Sequence, residues 1–275
     1  TSLTQGSNLP NGVIVHFNLK DFDDKKDTLA LYFKEQNGTL IKKYSSINKE
    51  DKLEIKVGGN AFVWDTRYEG AEILDGMIFW SASFSGPKAV PGNYEVILEK
   101  NGITQKQSFE ILPDPRTEVT LLDMKKQFDF VNLVNTSVDK AHKAIKNIRI
   151  IREKLNDFEV LHKKDIKLNS LLTKAEKLNK SITYIEKALY QTQNKSNQDP
   201  LNFPIRLTNK LGHLNELVTS NDFPPTDQDE IVRKLLTKKI DENLKKYKKF
   251  IEEDLRLFNE NFSKLNLDYL TIKEN

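Results

Sequence analysis

The stretch that decides the fold covers residues 64–102 and reads WDTRYEGAEILDGMIFWSASFSGPKAVPGNYEVILEKNG. It holds both tryptophans of the chain and alternates short apolar runs with turn residues. Near its end, at Tyr94, Val96 and Leu98, apolar side chains alternate with polar ones, which is typical of a strand with one buried face. A Pro-Gly pair precedes this run and an Asn-Gly pair follows it. Both pairs favour turns, so the stretch predicts β-structure.

The same pattern extends outward over residues 12–112. Eight short β-rich runs lie at residues 12–19, 28–35, 38–45, 52–57, 60–66, 77–84, 93–100 and 103–112. Asn-Gly pairs at residues 37–38 and 101–102 predict tight hairpins, because type I′ turns need positive φ at both central positions. Short strands without a helical period between them predict an antiparallel Ig-like β-sandwich over residues 1–112.

The hydrophobic period changes after two prolines that flank Asp114, which favour an extended connection. We therefore place a linker at residues 113–120. Beyond it, apolar residues recur every three or four positions in four stretches, at residues 124–155, 168–189, 204–218 and 236–265. Pro204 is expected in the first turn of the third helix, and Thr226 with Asp229 resembles a capping box for the fourth. Residues 121–275 are thus predicted to form an up-and-down four-helix bundle, so the fold class is β followed by α.

Several kinds of chemistry find no support in the sequence. The chain has no cysteine, which excludes disulfides and thiolate nucleophiles, and its four histidines show no H-E-x-x-H spacing. Phosphate-cradling glycine motifs and a G-x-S-x-G nucleophile elbow are also missing. We therefore expect no catalytic residue, no metal and no cofactor.

Charge does not point to nucleic acid or to a membrane span. The net charge is +3; residues 1–115 carry 13 basic and 16 acidic side chains, and the rest of the chain carries 30 and 24. The most basic run, residues 245–250, is followed directly by acidic residues, so it is expected to form helix-stabilising pairs on a solvated face. No apolar stretch is long enough to cross a bilayer.

The aromatic stretch nevertheless contains the candidate binding residues. These are Trp64, Arg67, Tyr68, Phe79 and Trp80. They are predicted to pack within the protein or against a partner, and the alternative is that exposed rings stack on a sugar. A second alternative is a hydrolase that uses Asp65 or Glu69, although the sequence shows no group that would raise the pKa of either carboxyl.

The order of motifs in this stretch resembles the region that follows the β-propeller in bacterial BNR/Asp-box-repeat, sortilin (VPS10)-like "glycosyl hydrolase" proteins. The matching motifs are W-D-x-R-Y at Trp64, W at Trp80, G-P at Gly86, P-G-x-Y-x-V at Pro91 and D-P-R at Asp114. Residues 9–20 and 203–228 are similar to the same group, so the resemblance spans most of the chain.

This resemblance implies an Ig-like module with a helical tail, located in a secreted or cell-envelope protein of bacteria. It also implies a non-catalytic accessory role, with the upstream propeller or another envelope protein as partner and a glycan as a possible ligand. The sequence contains no Asp-box, so no catalytic residue of the group transfers to it. The first residues lack Met and a signal-like apolar segment, and we interpret the chain as a piece of a larger polypeptide or as one whose targeting segment was removed.

Overall fold

The computed structural model describes residue 6, residues 8–48 and residues 51–263. Position 265, the last one of the fourth predicted helical stripe, lies outside these residues. Within them, six strands precede a series of helices, which confirms the predicted order of β-structure followed by α-structure. The chain divides into a β unit, Thr1–Gly70 with Ser85–Asp129, and a helical unit, Ala71–Phe84 with Phe130–Asn275.

The β unit contains two antiparallel sheets. Its strands are β1 (Val13–Leu19), β2 (Leu29–Glu35), β3 (Leu40–Ser45), β4 (Gly58–Trp64), β5 (Gly92–Lys100) and β6 (Ile103–Ile111). Strands β1 and β4 form a two-stranded sheet, and the other four pair in the order β3-β2-β5-β6. The predicted hairpin at Asn101 and Gly102 is confirmed, because both residues have positive φ (50° and 83°) and Lys100 pairs with Ile103.

Side chains from both sheets form the core of the β unit. Trp64 of β4 is fully buried and stacks on Phe33 of β2, with 4.4 Å between the ring centroids. Phe109 of β6 meets the Trp64 ring edge-on at 6.2 Å. Burying such rings contributes on the order of 2 kcal/mol each, so this aromatic cluster is a main source of stability for the unit.

Two of the eight predicted strands are wrong. Residues 52–57 make only an isolated bridge, from Lys52 to Ser45. The side chain of Asn60 accepts a hydrogen bond from the Lys56 N–H and donates one to its carbonyl, so these groups are satisfied without a neighbouring strand. Residues 77–84 also form no strand, and they belong to the helical unit.

Five α-helices follow the strands in the described part of the chain. They are α1 (Leu121–His162), α2 (Asn169–Leu189), α3 (Leu207–Val218), α4 (Asp227–Lys249) and α5 (Arg256–Ser263). A π-helical turn, Phe250–Leu255, joins α4 to α5, so the fourth predicted helix is one helical run with a π-turn inside it. No described helix is long and apolar enough to cross a membrane.

The helix starts agree with the sequence in one case and differ in another. At α4, Thr226 and Asp229 form the predicted capping box, with each side chain bonded to the backbone of the other residue. Pro204 does not lie in the first turn of α3, because this helix begins at Leu207 with Arg206 as N-cap. The segment before α3 instead presents the Pro204 carbonyl to the side-chain amide of Gln191 at 2.9 Å.

The helical unit buries an ion cluster beside its apolar core. Glu186 of α2 is 1% exposed, and its carboxylate binds Arg149 at 3.0 Å and also Arg152, both on α1. The guanidinium of Arg149 lies 5.6 Å from the ring centre of Tyr190. A buried carboxylate needs such partners, because desolvation without them costs several kcal/mol.

The compact units are interleaved in sequence. Residues 113–120, the predicted linker, belong to the β unit, which also includes the first residues of α1 up to Asp129. The helical unit includes the Ala71–Phe84 segment from the middle of the β-rich region. The chain therefore passes between the units after residues 70, 84 and 129.

Candidate binding site

Three of the five candidate residues, Trp64, Arg67 and Tyr68, lie in the β unit. Trp64 and Arg67 form hydrogen bonds with other residues of this unit. Trp64 is fully buried, and its indole N–H donates a hydrogen bond to the carbonyl of Arg67 at 3.1 Å. The Arg67 side chain donates to the carbonyl of Gly86 at 2.9 Å. Trp64 has no accessible face for a ligand, and Arg67 is engaged in shaping the chain around Gly86.

Gly86 shows why the Gly-Pro pair stands at this point. A Cβ atom at residue 86 would lie 2.0 Å from the carbonyl oxygen of Tyr68, closer than any side chain tolerates. The close approach lets the Tyr68 N–H donate to the carbonyl of Pro87 at 3.0 Å. The Ala89 N–H donates to the carbonyl of Thr66 on the same side. These two backbone hydrogen bonds therefore join residues 66–68 to residues 86–89.

The segment Ala71–Phe84, here called the strap, lies between these two stretches in sequence, belongs to the helical unit and carries Phe79 and Trp80. Phe79 is partly buried in the apolar core of the helical unit, where its ring lies 4.5 Å from Phe84 and 5.6 Å from Tyr190. Trp80 keeps 39% of its surface exposed. The two rings thus lie in different environments, and the helical unit of the same chain covers Phe79.

Side chains of α3 and its surroundings hold the backbone of the strap. The Trp80 N–H donates to Oδ1 of Asn209 at 2.9 Å, and Nδ2 of Asn209 donates to the Trp80 carbonyl at 2.8 Å. His213 Nδ1 donates to the Ser81 carbonyl at 2.7 Å. The Asn209 side chain supplies Trp80 with the two hydrogen bonds that a neighbouring strand would supply, so the backbone polar groups of Trp80 are satisfied outside a sheet.

The strap also approaches the backbone of α3 closely. The Ser83 N–H donates to the Gly212 carbonyl at 3.0 Å, and Nδ2 of the fully buried Asn215 donates to the Ser83 carbonyl at 3.0 Å. A Cβ atom at residue 212 would lie 2.6 Å from the ring of Phe84 and 2.9 Å from the Ala82 side chain. Gly212 is therefore the helix position that admits the strap.

The start of the strap is bound to α1. His142 has no exposed surface, and its Nδ1 donates to the Glu72 carbonyl at 2.5 Å. Asp139, one turn earlier, accepts a hydrogen bond from the Glu72 N–H at 2.7 Å. Burial lowers the pKa of His142 and raises that of Asp139, so burial favours the neutral form of both side chains.

Tyr68 is the candidate residue that lines a groove. Its hydroxyl donates to Oε1 of Glu35 at 2.8 Å, and its ring meets Phe128 edge-on at 4.8 Å. Burial, followed by the bond to Glu35, raises the pKa of Tyr68. The groove has a volume of about 370 Å³ and is lined within the β unit by Glu35, Asn37, Tyr68, Asn93, Lys125 and Phe128, among others.

The acidic residues near the tryptophans have different hydrogen-bond and ion-pair partners. Asp65 accepts a hydrogen bond from the Arg67 N–H at 3.0 Å within the β unit. Glu69 lies 3.9 Å from Lys42, and burial raises its pKa. Glu72 belongs to the helical unit, where it pairs with Lys146 at 3.3 Å. No group of three or more metal-ligating side chains occurs among the described residues.

The basic run at residues 245–250 forms the predicted helix-stabilising ion pairs. Lys248 pairs with Glu252 at 3.6 Å, and Lys249 pairs with Glu253 at 3.8 Å. Lys246 lies 5.9 Å from the ring centre of Tyr184. These lysines stabilise the helical surface on which they lie.

In a comparison with known proteins, no family model, curated protein or solved structure matches the chain.

Sequence reasoning identified Tyr68 as a candidate but missed Glu35, Asn93 and Phe128, which line the same groove. The positions of Glu35 and Asn93 next to the Asn-Gly and Pro-Gly turns are a signal that both lie at the same end of the sheet.

Proposed function

We propose that this chain is a non-catalytic accessory region of an exported bacterial protein of the BNR-repeat, sortilin-like group. In this proposal the two sheets are an Ig-like β-sandwich and the helical unit is a four-helix bundle. Its role is to pack against the upstream propeller or another envelope protein. The proposal rests first on the order of motifs between Trp64 and Arg116.

The observation that carries the proposal is the engagement of the strap within the chain. Phe79 is covered by the helical unit, and the backbone of Trp80 is bonded on both sides by Asn209. Together with the burial of Trp64, these contacts support an architectural role for the stretch that holds the candidate binding residues. A module whose aromatic residues are used in this way suits the positioning of other domains better than catalysis.

Helix α4 offers a surface that fits packing against another protein. Ile231, Val232 and Leu235 lie on one face of its first half and are 64%, 41% and 50% exposed. Neighbouring exposed apolar side chains on one helix face are typical of surfaces that another protein covers.

The test is to sequence the gene upstream of the first residue and to express the encoded upstream region. The proposal predicts a propeller with Asp-boxes and its association with this chain in an interface assay. Leu235→Asp is expected to weaken this association by about tenfold or more, whereas the control Asp241→Ala, at an exposed position outside this face of α4, leaves it unchanged. An upstream sequence without a propeller would contradict the proposal.

Catalysis by the chain itself gives a second, independent test. The proposal predicts no turnover of aryl-glycosides by the purified chain. Turnover that is abolished by Asp65→Asn or Glu69→Gln would overturn the non-catalytic assignment and favour the hydrolase alternative.

A further inference from the structure

We propose that the groove beside Tyr68 in the β unit binds an uncharged oligosaccharide. This inference goes beyond the packing role, which makes no use of the groove. The volume of about 370 Å³ lies within the range of sites that hold small ligands. Aromatic rings, amides and one carboxylate line it together, and each of these groups has a part in sugar recognition.

The rings supply the apolar part of the site. Tyr68 and Phe128 are each partly exposed, and they meet edge-on with an interplanar angle of 80°. The Tyr68 hydroxyl is bound by Glu35, and the hydroxyl of the neighbouring Tyr94 donates to the Val90 carbonyl. Both tyrosines are therefore held in one orientation, so binding a ligand costs little side-chain entropy. A pyranose ring has a face of CH groups that packs on such a fixed aromatic surface.

The polar part of the site is equally well ordered. Glu35 accepts hydrogen bonds from the Tyr68 hydroxyl at 2.8 Å and from the Asn37 side-chain amide at 3.1 Å. The amides of Gln36 and Asn93 are exposed along the same groove. Carboxylate oxygens accept hydrogen bonds, and amides both donate and accept them, which matches sugar hydroxyls that do both.

The charges of the groove favour an uncharged ligand. Its lining includes one carboxylate, Glu35, and one ammonium group, Lys125. Lys125 is already paired with Asp129 at 3.2 Å. A phosphate or uronic acid would therefore meet Glu35 without an available excess of positive charge. The nearly perpendicular rings of Tyr68 and Phe128 also differ from the aligned aromatic ridges that suit a proline-rich peptide.

The experiment is a titration of the isotopically labelled full chain, followed by the side-chain amide signals in nuclear magnetic resonance spectra. The probes are neutral xylo-, manno-, malto- and chito-oligosaccharides, with a uronic-acid oligosaccharide and a proline-rich peptide as separate arms. At least one neutral probe is expected to shift the signals of Gln36, Asn37 and Asn93. The amide of Gln105 on the exposed edge strand β6 is expected to stay unchanged.

Variants then locate the site. Asn93→Ala removes an exposed amide and should weaken the binding of the active probe by about tenfold, the value of one to two hydrogen bonds. Tyr68→Phe keeps the ring but releases Glu35, and it should weaken binding without loss of the folded spectrum. Gln105→Ala is the matched control and should bind as the unaltered chain does.

Three results would overturn the inference. They are unmoved groove signals at millimolar concentrations of every neutral probe, shifts caused only by the anionic sugar or the peptide, and unaltered binding by Asn93→Ala. Association with a propeller is not measured in this titration, so the inference and the packing proposal fail separately.

Discussion

Asn209 and Trp80 form a reciprocal pair: the Trp80 N–H donates to Oδ1 of Asn209, and Nδ2 of Asn209 donates back to the Trp80 carbonyl. A side-chain amide thus supplies both hydrogen bonds that a neighbouring strand would supply in a sheet. Asn209 is 4% exposed, so water cannot easily take its place. The pair fixes the middle of the strap to α3.

Replacement of Asn209 by alanine should therefore destabilise the helical unit by about 2 kcal/mol, since it leaves buried polar groups without partners. The measurement is urea unfolding followed by far-ultraviolet circular dichroism, which reports mainly on the helices. Lys210→Ala, at the exposed neighbouring position on the same helix, is the control and should change stability by less than about 0.5 kcal/mol. Equal effects of both substitutions would contradict the role of Asn209.

Gly212→Ala should also be destabilising, by about 1–3 kcal/mol, although alanine is the better helix former. The reason is steric, because the added Cβ would lie 2.6 Å from the Phe84 ring. Adding Phe84→Leu makes room, so the double variant should recover part of the stability lost by Gly212→Ala alone. A Gly212→Ala variant as stable as the unaltered chain would show that the strap does not contact α3 this closely.

The free energy of unfolding should depend on pH through the protonation of His142. Burial lowers the pKa of His142 in the folded state below the unfolded value of about 6.5. Its neutral form is therefore favoured by folding, so this contribution is fully present above pH of about 6.5 and is lost as the pH falls below it. Asp139, whose pKa is raised by burial, acts in the opposite direction.

The measurement is unfolding free energy between about pH 7.5 and about pH 5.5, compared with a variant that cannot titrate there. His142→Asn keeps an N–H group near the Glu72 carbonyl and should remove most of the slope. His16→Asn, at an exposed position of β1, should leave the slope intact. A slope unchanged in His142→Asn would contradict the burial of a neutral imidazole.

Glu186→Gln should destabilise the helical unit by about 1–3 kcal/mol, measured by the same urea unfolding. The substitution removes the negative charge between Arg149 and Arg152 and leaves two cations without their shared partner. The loss stays below that of a fully buried pair, because the two arginine side chains are 34% and 27% exposed and regain water. Glu176→Gln, on the exposed face of α2, is the control and should have little effect.

Local sequence patterns were sufficient to predict features whose interacting residues are close together in the sequence. The alternation at Tyr94 and Val96, the hairpin at Asn101 and the capping box at Thr226 all follow from residues a few positions apart. The hairpin and the capping box have their hydrogen bonds satisfied locally, whereas β5 also pairs with the sequence-distant β2. The predictions for all three features are confirmed.

The strap could not be predicted in the same way. Residues 77–84 form a β-rich run that predicts a strand, but the partner of Trp80, Asn209, lies 129 positions later in the sequence. Tertiary contacts overrode the local pattern, because the helical unit satisfies the backbone and buries Phe79. Glu186 offered a weak signal, since it is a charged residue within the apolar stripe of Ile182 and Leu189.

The most direct test of the account is native-state hydrogen exchange at the backbone amides of Trp80 and Ser83. These groups donate to Oδ1 of Asn209 and to the Gly212 carbonyl. If the strap belongs to the helical unit, both amides should become exchangeable at the same denaturant concentration as the amide of Leu214 in α3, and Asn209→Ala should remove the protection of Trp80. Exchange of Trp80 and Ser83 at the rate of an unstructured peptide, while Leu214 stays protected, would contradict the account.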